Sequence, residues 1–331
     1  MNRFARLVAA AVAIGIAAAS SLSPASAEQA PAQLRIGYQK TGDLLILKQQ
    51  GTLAARLAKV GTQVSWVQFQ SGPPLLEALN AGSIDVGFTG DTPPIFAQAA
   101  GAPLVYAAYV PSPGGYLGLL VHNGSRITTL ADLKGKRIAF TKGSSAHNFV
   151  VRVLTKAHLA YTDIQPVYLQ PADAAAAFQS GSIDAWAIWD PFYAVAQRFP
   201  GTGLLTDAQG IDASNSFYLS RKDYAAQYPA TIVAVVQEVN RASHWAATHR
   251  DELAEIYSKE TGVDLAAERV ATARATYGLH FITPEVIKQQ QAIADTFAKL
   301  GLIPSPIDIA SIVWTPDART ALLGGKVPVN P

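Results

Sequence analysis

Short apolar runs alternate with longer amphipathic stretches along most of this chain, and the alternation suggests a fold. Residues 34–38 (LRIGY) read as a short strand, and residues 39–43 turn it into a helical stretch that closes at Gly61. Residues 63–69 (QVSWVQF) place Val64 and Trp66 on one face and Val67 and Phe69 on the other, the period-two pattern of a strand. Pro73 and Pro74 suit the first turn of a helix over Leu75 to Ala81. Strands alternating with helices at this pace predict an α/β fold with a mostly parallel sheet.

The chain echoes itself. Residues 79–93 (LNAGSIDVGFTGDTP) and 178–191 (FQSGSIDAWAIWDP) both end a helix at Gly-Ser-Ile-Asp, add a four-residue apolar strand, and carry a second aspartate six residues past the first. Those second aspartates, Asp91 and Asp190, precede the proline-containing helix starts Thr92-Pro93-Pro94 and Pro191-Phe192, an N-cap pattern. The echo predicts two similar lobes, each aiming strand ends and helix starts in a common direction. A third strand-to-helix turn lies at residues 135–149 (GKRIAFTKGSSAHNF), whose helix runs to about Leu159. Residues 111–115 (PSPGG) suit a crossover between lobes, and Phe217 to Leu219 a return strand. From Tyr228 onward the pattern is helical, with Gly262 and Gly278 as stops.

Composition narrows the function. The 331 residues are 49% hydrophobic, 15% charged and free of cysteine, which excludes disorder, disulfides, thiolate metal sites and a cysteine nucleophile. Arg3 and Arg6, the apolar stretch Leu7 to Ala19 and the small residues Ala25-Ser26-Ala27 predict a signal peptide over residues 1–27. Cleavage there removes two of the 26 basic residues and none of the 24 acidic ones, so the mature chain is formally neutral. It lacks the positive field that nucleic acid or an anionic membrane needs, and the expected mature protein is exported and soluble.

Catalysis finds no support among the motifs. None of the six histidines sits in a metal-ligand spacing, and there is neither a Gly-x-Ser-x-Gly elbow nor a phosphate loop. Ser144 and Ser145 stand two or three residues before His147, too close at a helix start to align as nucleophile and base. Binding is better supported. Gly143, Ser144, Ser145 and Ala146 open a helix with small residues, leaving its first N–H groups uncovered for an anion. Asp190 reads as a structural cap. Asp91 reads equally as a cap or as part of a donor turn with Gly90 and Thr92. Trp186 and Trp189 face opposite ways, with Trp189 the better pocket wall. Gln39 is placed to donate to an oxyanion, whereas Lys40 reads as a solvated charge.

The runs IGYQKTGD, LLEALNAGSID, TGDTPPIFAQAAG, LADLKGKRIAFTKGSSAHN, DIQPVYLQPADAAAAF and GSIDAWAIWDPF closely resemble periplasmic aliphatic sulfonate-binding proteins, the soluble receptors of ABC importers. The resemblance spans about Leu34 to Leu219. It implies a two-lobe type II periplasmic-binding fold, each lobe a mostly parallel sheet flanked by helices, with a helical C-terminal segment. The first lobe would comprise residues 28–114 and 216–331, and the second 115–215. It further implies a monomer without cofactor or metal that delivers alkanesulfonates to a membrane permease for sulfur acquisition. The ligand site carried over is Ser144, Ser145 and Ala146 on the second lobe, Gln39, Gly90, Asp91 and Thr92 on the first, with Trp189 and Asp190 at the same cleft. Taurine and other small-anion receptors share this architecture, as do thiamine-precursor synthase enzymes. A taurine receptor would turn Asp91 or Asp190 toward the ligand's ammonium.

Overall fold

The computed structural model describes residues 30–112, 114–211 and 214–315, so the expected signal peptide lies outside the described residues. The first half of the chain gives β1 (Gln33–Tyr38), α1 (Asp43–Gln50), α2 (Thr52–Ala58), β2 (Gln63–Gln68), α3 (Gly72–Asn80), β3 (Val86–Thr89), α4 (Thr92–Ala99) and β4 (Leu104–Ser112). Crossing over, it continues with β5 (Leu117–His122), β6 (Arg137–Phe140), α5 (Ser145–Lys156), β7 (Gln165–Tyr168), α6 (Pro171–Gln179), β8 (Ala185–Trp189), α7 (Phe192–Ala196) and β9 (Thr202–Asp207). The chain then returns through β10 (Ser214–Arg221) to α8 (Lys222–Gln227), α9 (Pro229–Thr248), α10 (Arg250–Thr261), α11 (Leu265–Arg274) and α12 (Pro284–Lys299).

Two five-stranded sheets result, with orders β2-β1-β3-β10-β4 and β7-β6-β8-β5-β9. In each, three parallel strands are followed by one antiparallel strand, and that strand is the one arriving from the other lobe. The echo extends to the sheet bottoms. Asp85 receives the N–H and the guanidinium of Arg35 at 2.6–2.9 Å, and Asp184 receives those of Arg137 at 2.8–3.1 Å. Each Gly-Ser-Ile-Asp thus clamps the start of the central strand of the three parallel strands in its own sheet, β1 or β6. The far, C-terminal ends of β1, β3, β6 and β8 are left to form the cleft, where open α/β sheets commonly bind ligands.

Helices cover both faces of the sheets. In α9, Ile232, Val235, Val236 and Val239 follow the i, i+3, i+4, i+7 spacing and are buried, together with Leu45, Leu53 and Leu57 from α1 and α2. Each such side chain contributes roughly 1.5–3 kcal/mol of burial. The opposite face of the first sheet meets α3, α4 and α12 through Leu75, Ile95, Ile293 and Phe297. The second lobe closes around Phe140, Phe149, Phe178 and Trp186.

Three expectations shift. The helical stretch closing at Gly61 is two helices, broken where Gly51 takes φ 67° and its N–H turns back to the Leu47 carbonyl. Pro111 remains inside β4, and β10 starts at Ser214, because Ser214 and Asn215 pair with Ser112 and Pro111. Gly262 does end α10 with φ 69°, but α11 stops at Arg274, four residues before Gly278. Helix α11 packs through Ala267 and Ala271 on Ala194 of α7, so the C-terminal helices reach the second lobe.

Candidate functional site

Between the lobes lies a cavity of about 130 Å³, a size for a small molecule rather than a peptide. Six of the nine residues expected at the site line it: Gln39, Gly90, Ser144, Ser145, Trp189 and Asp190. The other three, Asp91, Thr92 and Ala146, are fully buried behind the wall. Phe88, Pro93, Val110, Tyr116, Tyr257 and Tyr277 supply apolar surface.

Helix α5 is built to leave donors open. Gly143 takes φ 71°, and a Cβ there would lie 3.2 Å from the Phe96 ring of the first lobe, so glycine serves both the turn and the lobe contact. Its N–H donates to His147 Nδ1 at 3.1 Å, which places the ring proton on Nε2, 2.9 Å from the Tyr161 hydroxyl. Burial, helped by the nearby Lys142 charge, pushes His147 down to about 3, so it stays neutral and contacts neither serine as a base. The N-cap Ser144 is extended (φ −94°, ψ 171°), yet its hydroxyl donates backward to the Thr141 carbonyl at 2.7 Å instead of capping the helix. The N–H groups of Ser145 and Ala146 are left without a partner among the described residues. Two open donors at the positive end of a twelve-residue helix suit an anion.

The first lobe meets this helix start closely. Asp91 caps α4 by accepting from the Thr92 N–H at 2.7 Å and hydroxyl at 3.0 Å, and it accepts from Asn148 of α5 at 2.7 Å. The nearby Ser145 hydroxyl acts in the same direction as these donors, while burial, the larger effect, raises the carboxyl's proton affinity. A carboxylate so engaged is turned away from the cavity; of the two earlier alternatives, the structure selects the cap. Gln39 donates to the Phe88 carbonyl at 3.0 Å, which fixes its amide at the cavity edge. Lys40 is not simply solvated, since its ammonium reaches the Thr261 carbonyl at 3.0 Å.

Two charged groups in the lining were not anticipated. Asp43 opens α1 as Ser145 opens α5, its carboxylate accepting from Tyr218 at 3.0 Å; burial pushes it up to about 6. Arg274, from the end of α11, lies 3.3 Å from Asp190, holds Gln197 at 2.6 Å and stacks over the Tyr193 ring at 4.1 Å. Asp190 also accepts from the Ala194 N–H at 3.0 Å, and burial outweighs these contacts to lift it to about 6. The repeated Arg-Ile-small-aromatic-x-Lys, at residues 35–40 and 137–142, was the available signal for Asp43. No local pattern marked Arg274.

Comparison with known proteins places this geometry in context. Residues 27–258 match the model of the NMT1-like family. The alkanesulfonate-binding protein SsuA from Xanthomonas axonopodis pv. citri, in a structure bound to MOPS, is similar at 43% identity and a TM-score of 0.82, over 86% of this chain and 98% of that one. The periplasmic aliphatic sulphonate binding protein SsuA from Escherichia coli is similar at 42% identity and a TM-score of 0.79, over 86% and 93%. More distantly, the taurine-binding periplasmic protein of Escherichia coli (strain K12) is 27% identical over 203 residues, 60% of this chain and 62% of that protein.

Proposed function

We propose that this chain, which belongs to the NMT1-like family and within it to the periplasmic aliphatic sulfonate-binding proteins, captures aliphatic sulfonates between its lobes and delivers them to the membrane permease of an ABC importer. It acts as a binding protein rather than an enzyme, works in the periplasm after its leader is removed, and is a monomer. The observation that carries this reading is the open N–H at Ser145, in the lining of an apolar-walled cavity, with the open Ala146 N–H next to it behind the wall. A sulfonate is ionised at any pH the periplasm meets and offers acceptor oxygens without a donor, so it suits backbone N–H groups. Its alkyl tail gains about 0.8 kcal/mol per buried methylene against Trp189, Phe88 and the tyrosines. The nine residues Gln39, Gly90, Asp91, Thr92, Ser144, Ser145, Ala146, Trp189 and Asp190 form the proposed site: Gln39, Gly90, Ser144, Ser145, Trp189 and Asp190 line the cavity, and the buried Asp91, Thr92 and Ala146 hold the turns behind it.

A taurine receptor is the second reading, favoured by the carboxylates Asp43 and Asp190 in the lining. Calorimetry on the mature chain with alkanesulfonates of increasing length, taurine, sulfate and nitrate separates the two. Alkanesulfonates are expected to bind, with affinity rising over the first methylenes, and sulfate and nitrate far more weakly. Nitrate binding tighter than any sulfonate would overturn the assignment.

A further inference from the structure

For an anion receptor, the cleft carries an unexpected charge balance. The charged side chains lining it are Asp43, Asp190 and Arg274, two carboxyls against one guanidinium. Behind the wall, one turn before the lining residue Ala271 on α11, sits Glu268, with no solvent exposure. One of its oxygens accepts from the Thr261 hydroxyl at 3.1 Å, and the other has no hydrogen-bond partner. The Lys40 ammonium acts on it from the β1–α1 turn, Asp190 from the head of α7, Tyr257 from α10 and Tyr277 from the segment after α11. Arg250 stacks over Tyr277, and Arg274 over Tyr193, so neither cation is centred on Glu268. Three carboxyls therefore face two nearby cations, Arg274 and Lys40, before any ligand enters.

A sulfonate adds one more negative charge to this low-dielectric setting, where uncompensated charge is costly. We propose that the cleft takes up its anion together with one proton, carried by the Glu268 carboxyl. This rests on the sulfonate-binding reading and adds its proton requirement. A neutral Glu268 relieves the bare buried oxygen and leaves Asp43 and Asp190 balanced by Lys40 and Arg274. Burial already lifts this carboxyl to about 7 in the ligand-free chain, aided by Asp190 and opposed by Thr261 and Lys40. A further negative charge in the cleft lifts it further. Uptake is then greatest near and just above pH 7, where the free protein has lost the proton and the complex retains it. By linkage the anion's affinity rises as pH falls through that window, and flattens once Glu268 is protonated in both states.

The test is calorimetry of pentanesulfonate binding to the mature chain at pH 7.2, in buffers of different ionisation enthalpy, with affinities from pH 8.5 to 6.5, above the values near 6 at which Asp43 and Asp190 take up protons. Uptake of roughly half a proton or more is expected, with affinity rising about three- to tenfold toward acid. Glu268→Gln is expected to keep binding pentanesulfonate, to cut the uptake by at least half and to flatten the pH profile. Binding without proton uptake would overturn the proposal while leaving the sulfonate reading intact; absence of binding at every pH would overturn both. Uptake unchanged in E268Q would overturn the assignment to Glu268. Should that variant fail to fold, the ¹³C resonance of the Glu268 carboxyl in the wild-type chain decides. Its titration is expected to move upward when pentanesulfonate binds, and an unmoved titration would overturn the proposal.

Discussion

Asn148 of the second lobe donates its side-chain N–H to the Asp91 carboxylate of the first at 2.7 Å, and both groups are buried. The bond exists only while the lobes are closed, because Asp91 belongs to the start of α4 and Asn148 to the first turn of α5. It therefore links closure to the helix start whose first residue, Ser145, lines the cavity with an open N–H. Closure over a ligand is also the change a membrane partner can read.

Removing the donor tests that link. Asn148→Ala leaves a buried carboxylate short of one partner in the closed form, while opening returns it to water. The closed form is expected to lose about 1.5–3 kcal/mol, the range for a hydrogen bond to a charged group. Alkanesulfonate affinity, measured by calorimetry, should fall about tenfold to a hundredfold. Melting of the ligand-free chain should change little. An unchanged affinity would mean that the lobes close without this bond.

Gly90 sets a second limit on closure. A Cβ at this position would lie 1.8 Å from the Ser145 hydroxyl and 3.1 Å from its Cβ, across the lobes. Gly90→Ala is expected to weaken binding by tenfold or more, by an overlap that costs about 1–3 kcal/mol in the closed form. The double variant Gly90→Ala, Ser145→Ala removes the nearer overlap and should bind better than Gly90→Ala alone. If the double variant is no better, the overlap is not what limits closure.

Much of this arrangement was legible in the sequence, and what escaped did so for identifiable reasons. The twofold Gly-Ser-Ile-Asp with its following aspartate located both cleft-forming strand ends, because the local pattern repeats the local structure. The same comparison, carried to residues 35–40 and 137–142, aligns Asp43 with Ser145 and would have exposed the acidic helix start opposite the open one. Asp91 was ambiguous because a helix cap and a ligand contact demand the same residue at the same place; only its 2.7 Å bond to Asn148, 57 positions away, separates them. Arg274 and Glu268 were out of reach. They sit in a helix whose amphipathic pattern reports only that one side is buried, and contacts with Asp190 and Lys40 arise from tertiary packing.

The raised carboxyls also shape stability against pH. Glu268 at about 7, and Asp43 and Asp190 at about 6, hold protons in the folded chain at pH values where the unfolded chain has lost them. Their stabilisation is complete below the unfolded values near 4 and is lost as pH rises through 6 to 7. Asp132, Asp163, Asp184 and Asp223 are lowered by their hydrogen bonds, and their contribution is lost instead as pH falls below about 4. The ligand-free chain is thus expected to be more stable near pH 5 than at pH 8, and to weaken again at pH 3. Urea unfolding at those three pH values checks the order; greater stability at pH 8 than at pH 5 would contradict the carboxyl assignments.

The sulfonate pole itself is best tested by separating a hydroxyl from a backbone donor at one residue. Ser145 is the first residue of α5, its N–H has no partner among the described residues, and Ser144 before it is extended. Proline is well tolerated at a first helical position and asks its predecessor to be extended, so Ser145→Pro deletes an N–H that no internal bond uses. Ser145→Ala removes only the hydroxyl, which lies near the Asp91 carboxylate across the lobes and favours its charged form. The alanine change is expected to cost about 1 kcal/mol of alkanesulfonate binding through weaker closure. The proline change removes the same hydroxyl and one charge-assisted donor as well, and is expected to cost about 2–3 kcal/mol in total. Calorimetry gives the difference between the two variants, which isolates the N–H, and thermal melting confirms that both remain folded. Equal affinities in two folded variants would place the sulfonate away from α5, at a pole the open N–H groups of Ser145 and Ala146 do not serve.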